Sequence, residues 1–85
     1  MTDTIAVRSE IRAFIEDEFL YLKPDLELSD SDQLLALGVI DSLGFVELVE
    51  EVQTRYDLKV PDSEITVENF GSIDAIAAYV KRKRA

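Results

Sequence analysis

A serine flanked by an aspartate and a leucine is the part of this sequence best placed to do chemistry. Asp41, Ser42 and Leu43 stand where a turn-rich stretch gives way to helical periodicity, so a helix begins at or beside Ser42. The first turn of a helix has unpaired backbone N–H groups and the positive end of the helix dipole. The position therefore favours an anion attached to the serine oxygen. The alternative is that Ser42 is an ordinary helix N-cap.

The residue types that are missing exclude most other chemistry. The 85-residue chain has no cysteine and no histidine, so it lacks a thiol nucleophile, a zinc-thiolate site and the commonest general base. Asp30 and Asp32 have the spacing of a calcium loop, but Leu34 and Leu35 stand where a further ligand and a glycine are needed. We therefore expect neither enzymatic activity nor a metal site.

The charge balance indicates which partners the chain can meet. There are 18 acidic and 9 basic residues, a formal net charge of −9. Such a surface repels nucleic acids and anionic membranes and attracts proteins with basic patches. No apolar run reaches membrane-spanning length and no signal pattern opens the chain, so we expect a cytoplasmic protein. Residues 81–85 are predicted to form a basic tail that complements the last helix dipole and frays.

Apolar residues recur at helical spacing in three segments of one domain, residues 1–85, and a capping residue indicates a fourth, short helix. We predict, in order, a helix over residues 3–22, a helix over residues 42–56, a short helix from Asp62 or Ser63 to Asn69, and a last helix capped by Ser72. Pro24 ends the first helix because proline cannot continue the hydrogen-bond ladder. The fold class that follows is all-α, a small four-helix bundle with three main helices and a short third one.

A long loop connects the first and second helices of this bundle. Ser29 and Asp32 have the spacing of a capping box, and we predict one short helical turn that stops at Gly38. The leucines of this turn are expected to lie over the core; they are Leu34, Leu35 and Leu37. Loops of this length without regular structure are usually functional.

The stretch from Leu37 to Val49, LGVIDSLGFVELV, resembles the phosphopantetheine attachment region of the acyl carrier protein family. The likeness extends from about Ser31 to Val80. It implies that a phosphopantetheinyl transferase joins 4'-phosphopantetheine from coenzyme A to Ser42, and that the arm holds an acyl or aminoacyl group as a thioester. It also implies that Asp41 helps to place the metal and the coenzyme A phosphates during modification. Otherwise Asp41 is only a turn residue and dipole partner.

The resemblance further implies a surface on which acyl-loading and acyl-processing enzymes dock. Leu43 would insert into partner pockets, and Glu47, Glu50 and Glu51 would form an acidic docking face read by basic patches. The alternatives are a Leu43 half-buried under the loop and a merely solvated acidic helix face. Apolar residues around the bundle could also shield an acyl chain, although they could equally form a packed core; they are Leu48, Val49, Val52, Ile65 and Ile76.

Two positions depart from the pattern of fatty-acid carriers. Gly44 replaces an acidic residue and either loosens the first turn or admits a close partner, and Glu50 stands at an apolar contact point. The glycine-histidine lead-in of peptidyl carriers is also absent. The chain therefore resembles freestanding carriers of polyketide or related specialised biosynthesis, with fatty-acid synthesis as an alternative. Because a strongly charged carrier must visit several enzymes, we expect a monomer. The competing hypothesis is a non-covalent, acidic helical interaction module in which Ser42 only caps its helix.

Overall fold

The computed structural model describes residues 3–20 and 26–84, and all regular structure within them is helical. The elements are α1 (Asp3–Glu18), α2 (Ser42–Tyr56), a 3₁₀ turn (Asp62–Glu64), α3 (Val67–Phe70) and α4 (Ile73–Arg84). The predicted all-α bundle and its order of helices are confirmed. No helix in this part of the chain is both long and apolar enough to cross a bilayer.

The core is a single apolar cluster to which every long helix contributes. α1 and α3 both pack against α4. The largest fully buried side chains are Ile11 and Ile15 from α1, Leu34 from the loop, Leu48, Val49 and Val52 from α2, Phe70 from α3, and Ile73, Ile76, Tyr79 and Val80 from α4. Apart from Leu34, Phe70 and Tyr79, these residues recur at the predicted helical spacing, so hydrophobic burial orients the three long helices in the bundle.

Helix α1 ends earlier than the predicted residue 22. Its last residue is Glu18, and the chain then turns so that Leu20 is buried. The last turn of α1 has no basic residue and carries Glu16, Asp17 and Glu18 at the negative end of the helix dipole, which disfavours continuation. The predicted roles of Leu22 and Pro24 lie outside the described residues.

The predicted third helix is divided into two pieces. A 3₁₀ turn covers Asp62–Glu64, and α3 begins only after Thr66, whose Oγ1 accepts a hydrogen bond from the Asn69 N–H at 3.2 Å. The intervening residues Ile65, Thr66 and Val67 are all β-branched, which lowers the helix propensity at this point. The prediction of one helix from residue 62 was therefore wrong, and its cap is Thr66.

The basic residues at the end of the chain belong to α4 and are not a frayed tail. Helix α4 continues to Arg84, and Ser72 caps it by accepting a hydrogen bond from the Ala75 N–H at 3.1 Å, as predicted. Lys83 Nζ lies 2.9 Å from Glu64 Oε1, and Arg82 donates to Asn69 Oδ1 at 3.0 Å. These contacts, together with the favourable position of cations at a helix C-terminus, keep the last turn helical.

The long loop before α2 contains the predicted single helical turn, in which the Leu37 N–H donates to Gln33 O at 3.0 Å, but no longer helix. Gly38 has a φ of +75°, a conformation that favours glycine, and its N–H donates to Leu35 O at 3.1 Å. Leu34 is buried and Leu35 is half-buried, but Leu37 is 47% exposed, so the predicted burial of all three leucines was wrong for Leu37. Gly38 ends the turn as predicted.

Arginines of α1 hold the other half of this loop in place. Arg12 donates to Leu28 O at 2.6 Å and to Asp30 Oδ1 at 2.5 Å. Arg8 donates to Asp74 Oδ1 at 2.8 Å, and the Asp74 N–H donates to Asp30 O at 2.9 Å. The loop is thereby tied to both α1 and the start of α4, which fixes the path that leads to α2.

Candidate functional site

The N-terminus of α2 is capped by Asp41. Asp41 has an extended backbone, its Oδ1 accepts a hydrogen bond from the Gly44 N–H at 2.8 Å, and its carbonyl accepts one from the Phe45 N–H at 2.8 Å. Ser42 is the first helical residue. The alternative that Ser42 caps this helix was therefore wrong, because the neighbouring aspartate does so.

The hydroxyl of Ser42 is exposed at the end of the helix. Among the described residues, none makes a hydrogen bond with Ser42 Oγ, and the N–H groups of Ser42 and Leu43 have no partner. Both N–H groups lie in the first helical turn, where the dipole is positive. An anionic group on Ser42 Oγ would therefore meet a favourable potential without breaking an existing hydrogen bond, so this position fits a phosphate ester.

Gly44 brings the end of α1 against the first turn of α2. A Cβ at this position would lie 2.9 Å from Phe19 Cε1 and 3.3 Å from Asp41 Oδ1. The group that approaches Gly44 closely is thus the Phe19 ring of the same chain, and the two predicted effects of Gly44, a looser first turn or a close partner, stay predictions. Phe19 also meets Phe14 edge-on, with ring centroids 5.9 Å apart. Nothing in the sequence around residue 42 points to Phe19, which was therefore missed.

The residues predicted to dock partners differ in exposure. Leu43 is 68% exposed, which excludes the alternative of a leucine half-buried under the loop. Glu47 and Glu50 are exposed. Glu51 is half-buried, and its carboxylate accepts hydrogen bonds from the Arg55 guanidinium at 2.5 and 2.9 Å. Leu43, Glu47 and Glu50 are thus available to a partner, whereas Glu51 already has a counter-ion.

Two surface clefts are lined by exposed residues of α2, and both include Glu47. The first has a volume of about 330 Å³ and is lined by Phe19, Gly38, Val39, Ile40, Asp41, Leu43, Gly44 and Glu47. The second has a volume of about 320 Å³ and is lined by Phe14, Glu18, Glu47, Glu50, Glu51 and Thr54. Glu47 lines both, so the predominantly acidic second cleft adjoins the first. The first is bounded by both neighbours of Ser42 in the sequence.

The apolar residues predicted as a possible shield for an acyl chain line neither of these clefts. Leu48, Val49, Val52 and Ile76 are core residues with at most 2% exposure, and Ile65 is half-buried against them. The packing alternative therefore describes these residues better than a pocket does.

One group with a shifted pKa borders a cleft: the hydrogen bond to Glu51, which lines the second cleft, raises the pKa of Arg55 within the same helix. The other groups with shifted pKa values are Tyr56, Glu64 and Tyr79, which line neither cleft and link elements of the fold. Burial, and then a hydrogen bond to Glu10, raise the pKa of Tyr56 at the end of α2. Burial and a hydrogen bond to Glu64 raise the pKa of Tyr79 to about 12, while Tyr79 and then Lys83 lower the pKa of Glu64. These three shifts are explained by packing between elements, so they do not mark an acid–base site.

Comparison with known proteins identifies a matching family model and similar carrier proteins from two Streptococcus species. Residues 9–80 match the family model described as a phosphopantetheine attachment site. The D-alanyl carrier proteins of Streptococcus sanguinis and Streptococcus thermophilus are each 32% identical to this chain over 78 residues, covering 92% of this chain and 95% of the relative.

Among solved structures, the fold resembles a chain in one described as the crystal structure of an FAD-dependent dehydrogenase. The TM-score is 0.69 and the identity 33%, over 82% of this chain and 97% of that chain. Because the match covers nearly all of that chain and only part of this one, the chain it matches is no longer than this 85-residue protein.

Proposed function

This chain belongs to the family of carrier proteins with a phosphopantetheine attachment site, and we propose that Ser42 is the attachment residue. Members carry 4'-phosphopantetheine covalently and are carriers, not enzymes; a phosphopantetheinyl transferase and the enzymes that use the cargo are their partners. The observation that supports Ser42 is its exposed hydroxyl on the first residue of α2, with Asp41 supplying the cap. The hydroxyl is therefore available for esterification.

The surroundings of Ser42 suit each part of this attachment. The linkage is a phosphodiester, whose negative charge would lie beside the unpaired N–H groups of Ser42 and Leu43. Asp41 uses Oδ1 to cap Gly44, which leaves Oδ2 to face the metal and the coenzyme A phosphates during modification. The arm supplies a thiol, which the cysteine-free chain lacks. The thiol then forms the thioester with the cargo.

We propose a small aminoacyl group as the cargo, with D-alanine as the first candidate. Two observations support this choice: the carrier relatives named above carry D-alanine, and the core residues that could have enclosed a long acyl chain are tightly packed. The earlier expectation of polyketide or related specialised biosynthesis stays an alternative for the pathway. The names of these D-alanyl carriers do not point to that pathway.

A second candidate follows from the solved structure. A chain of carrier size that is 33% identical to this one occurs in the structure of an FAD-dependent dehydrogenase. We propose, as this second candidate, that the thioester is presented to a flavin enzyme, which removes two hydrogen atoms from the bound acyl group and reduces its FAD to FADH₂. An aminoacyl thioester is compatible with both candidates, and they differ in the enzyme that meets the carrier after loading.

The first experiment is intact mass spectrometry after incubation with coenzyme A, magnesium and a broad-specificity phosphopantetheinyl transferase. We expect wild type to gain one phosphopantetheine unit and Ser42→Ala to gain none. Ser63→Ala, which removes another exposed hydroxyl, is the matched control and should load like wild type. A folded wild-type protein that gains no mass beside a positive transferase control would favour the non-covalent interaction module.

The second experiment identifies the cargo. Loaded protein is incubated with ATP and a D-alanine-activating ligase, or with a transferase that delivers malonyl groups, and its mass is measured again. A gain of one alanyl unit at the thiol supports the aminoacyl proposal, and its removal by hydroxylamine establishes a thioester. Malonyl loading without alanyl loading would contradict the aminoacyl proposal and support the polyketide alternative.

A further inference from the structure

The cleft beside Ser42 has walls of two chemical kinds. Its apolar lining includes Phe19, Val39, Ile40 and Leu43, of which Leu43 is largely exposed. Its polar surface comes from side chains that include Glu47. The cleft therefore offers apolar contact and a hydrogen-bond acceptor within one open volume of about 330 Å³.

The walls of this cleft are held in place before any ligand arrives. Val39 and Ile40 are buried, and both of their N–H groups donate to Leu34 O, at 3.0 and 3.4 Å. The Phe19 ring lies over the position that a Cβ of Gly44 would occupy. A pre-formed cleft binds a ligand at lower entropic cost than one that must be assembled.

The first segment of a phosphopantetheine arm matches this arrangement. The phosphate is followed by a methylene group, then by a carbon that bears two methyl groups, a carbon that bears a hydroxyl group, and an amide. An arm that leaves Ser42 toward α1 would place its methyl groups against Phe19 and Ile40, and its amide N–H or hydroxyl within the region of Glu47. The volume of the cleft lies at the lower end of the range for small-ligand pockets, which suits a segment of the arm.

We propose that the first segment of the phosphopantetheine arm rests in this α1-side cleft when no enzyme is docked. The inference rests on the proposed attachment at Ser42. Leu43 and Glu47 line the cleft and also belong to the predicted docking surface, so a partner that contacts them competes with the resting arm. Docking thus releases the arm, and the carrier presents its thioester mainly when an enzyme is present.

The test uses the loaded protein in solution, after mass spectrometry has confirmed complete loading. Isotope-filtered NMR on labelled protein with an unlabelled arm detects nuclear Overhauser contacts from the two methyl groups of the arm. We expect contacts to the Phe19 ring and to Ile40, and a shift of the Gly44 amide resonance between unloaded and loaded protein. Val60, a core residue that lines neither cleft, provides a resonance expected to stay unchanged.

A matched pair of variants makes the test specific. Leu43→Ala removes an exposed side chain that lines the cleft, whereas Val46→Ala removes one of comparable exposure, 48%, that does not. We expect Leu43→Ala to weaken the contacts about twofold or more because the arm loses apolar contact area, and Val46→Ala to leave them unchanged. Both variants change solvent-exposed positions, so the fold should persist.

The outcomes separate the inference from the proposed function. Complete loading at Ser42 with no contact to Phe19 or Ile40, or with contacts to α3 instead, would overturn the resting cleft while leaving the carrier function intact. Equal weakening by Leu43→Ala and Val46→Ala would also overturn it. Failure of the wild-type chain to load at all would overturn the proposed attachment, and the inference with it.

Discussion

At the scale of single residues, Asp41 and Ser42 have different roles: Asp41 stabilises the start of α2, and Ser42 offers the hydroxyl that we propose is modified. Asp41 Oδ1 holds the Gly44 N–H, whereas Ser42 Oγ has no hydrogen-bond partner among the described residues. We expect Asp41→Ala to lower the free energy of unfolding by about 1 kcal/mol because the helix loses its cap. Ser42→Ala should change it by less than about 0.5 kcal/mol. Urea unfolding followed by circular dichroism measures both, and the reverse order would show that Ser42 is the cap.

Gly44 provides a second test at this scale, because two effects of a methyl group oppose each other. Alanine favours a helix over glycine by up to about 1 kcal/mol, but its Cβ would stand 2.9 Å from Phe19 Cε1. We expect Gly44→Ala to leave stability unchanged or lower it in wild type, and to raise it by about 1 kcal/mol in a Phe19→Ala background. A double-mutant cycle in urea measures this coupling. Equal effects in both backgrounds would show that Phe19 does not restrict residue 44.

At the scale of elements, the loop before α2 depends on its anchor to α1. Arg12 donates to Leu28 O and to Asp30 Oδ1, so its removal leaves the loop without two hydrogen bonds. We expect Arg12→Ala to lower the free energy of unfolding by about 1 to 2 kcal/mol and to speed amide hydrogen exchange at Leu34. Arg55→Ala, which breaks an exposed pair within α2, is the control and should cost less than about 0.5 kcal/mol. Equal costs for the two variants would contradict an anchoring role.

The elements also show which features a sequence can predict. Helical periodicity was sufficient for the order of helices and for the inward stripes of α2 and α4, because burial of apolar residues decides both. The end of α1 and the division at Thr66 depend on local charge and β-branching, which compete with that pattern over only a few residues. Periodicity alone did not resolve either boundary.

The sequence could predict only those parts of the site that are formed by residues close to Ser42 in the chain. The position of Ser42 at the start of a helix followed from the residues around it. The choice of Asp41 as the cap depends on where the helix begins, which periodicity fixes only to within about two residues. Phe19 and the cleft could not be predicted, because they depend on how α1 ends and where it meets α2. A single sequence has no pattern that identifies contacts between residues distant in the chain, such as the approach of Phe19 to Gly44.

At the scale of the whole molecule, opposite charges are concentrated in different regions. The acidic cleft is lined by Glu18, Glu47 and Glu50, whereas basic residues 81–84 form the last turn of α4, whose Arg84 lies over the ring of Tyr56 at the far end of α2. A partner with a basic patch is therefore steered toward the acidic surface beside Ser42. If the acidic surface docks partners as predicted, that role comes at some cost in stability, since the net charge is −9.

The loss of stability caused by the net charge leads to a prediction for the whole protein. Raising the ionic strength from about 0.01 to 0.15 M shortens the Debye length from about 30 to 8 Å and screens the repulsion between carboxylates. We expect Tm to rise by about 2 to 4 °C, which corresponds to about 0.5 kcal/mol for a domain of this size. Calorimetry at a series of salt concentrations measures the change, and a flat or falling Tm would contradict self-repulsion as a destabilising force.

Variants that neutralise chosen carboxylates show which of them contribute most to the electrostatic repulsion. The double variant Glu47→Gln/Glu50→Gln reduces the net charge from −9 to −7, and we expect it to raise Tm at low salt and to reduce the dependence of Tm on salt. Glu51→Gln is the control: it also removes a negative charge, but its carboxylate is paired with Arg55, so Tm should gain little or fall. If Glu51→Gln stabilised as much per charge as the double variant, the repulsion would be a property of net charge alone. If only the double variant does so, the repulsion is concentrated at the surface that partners are predicted to read.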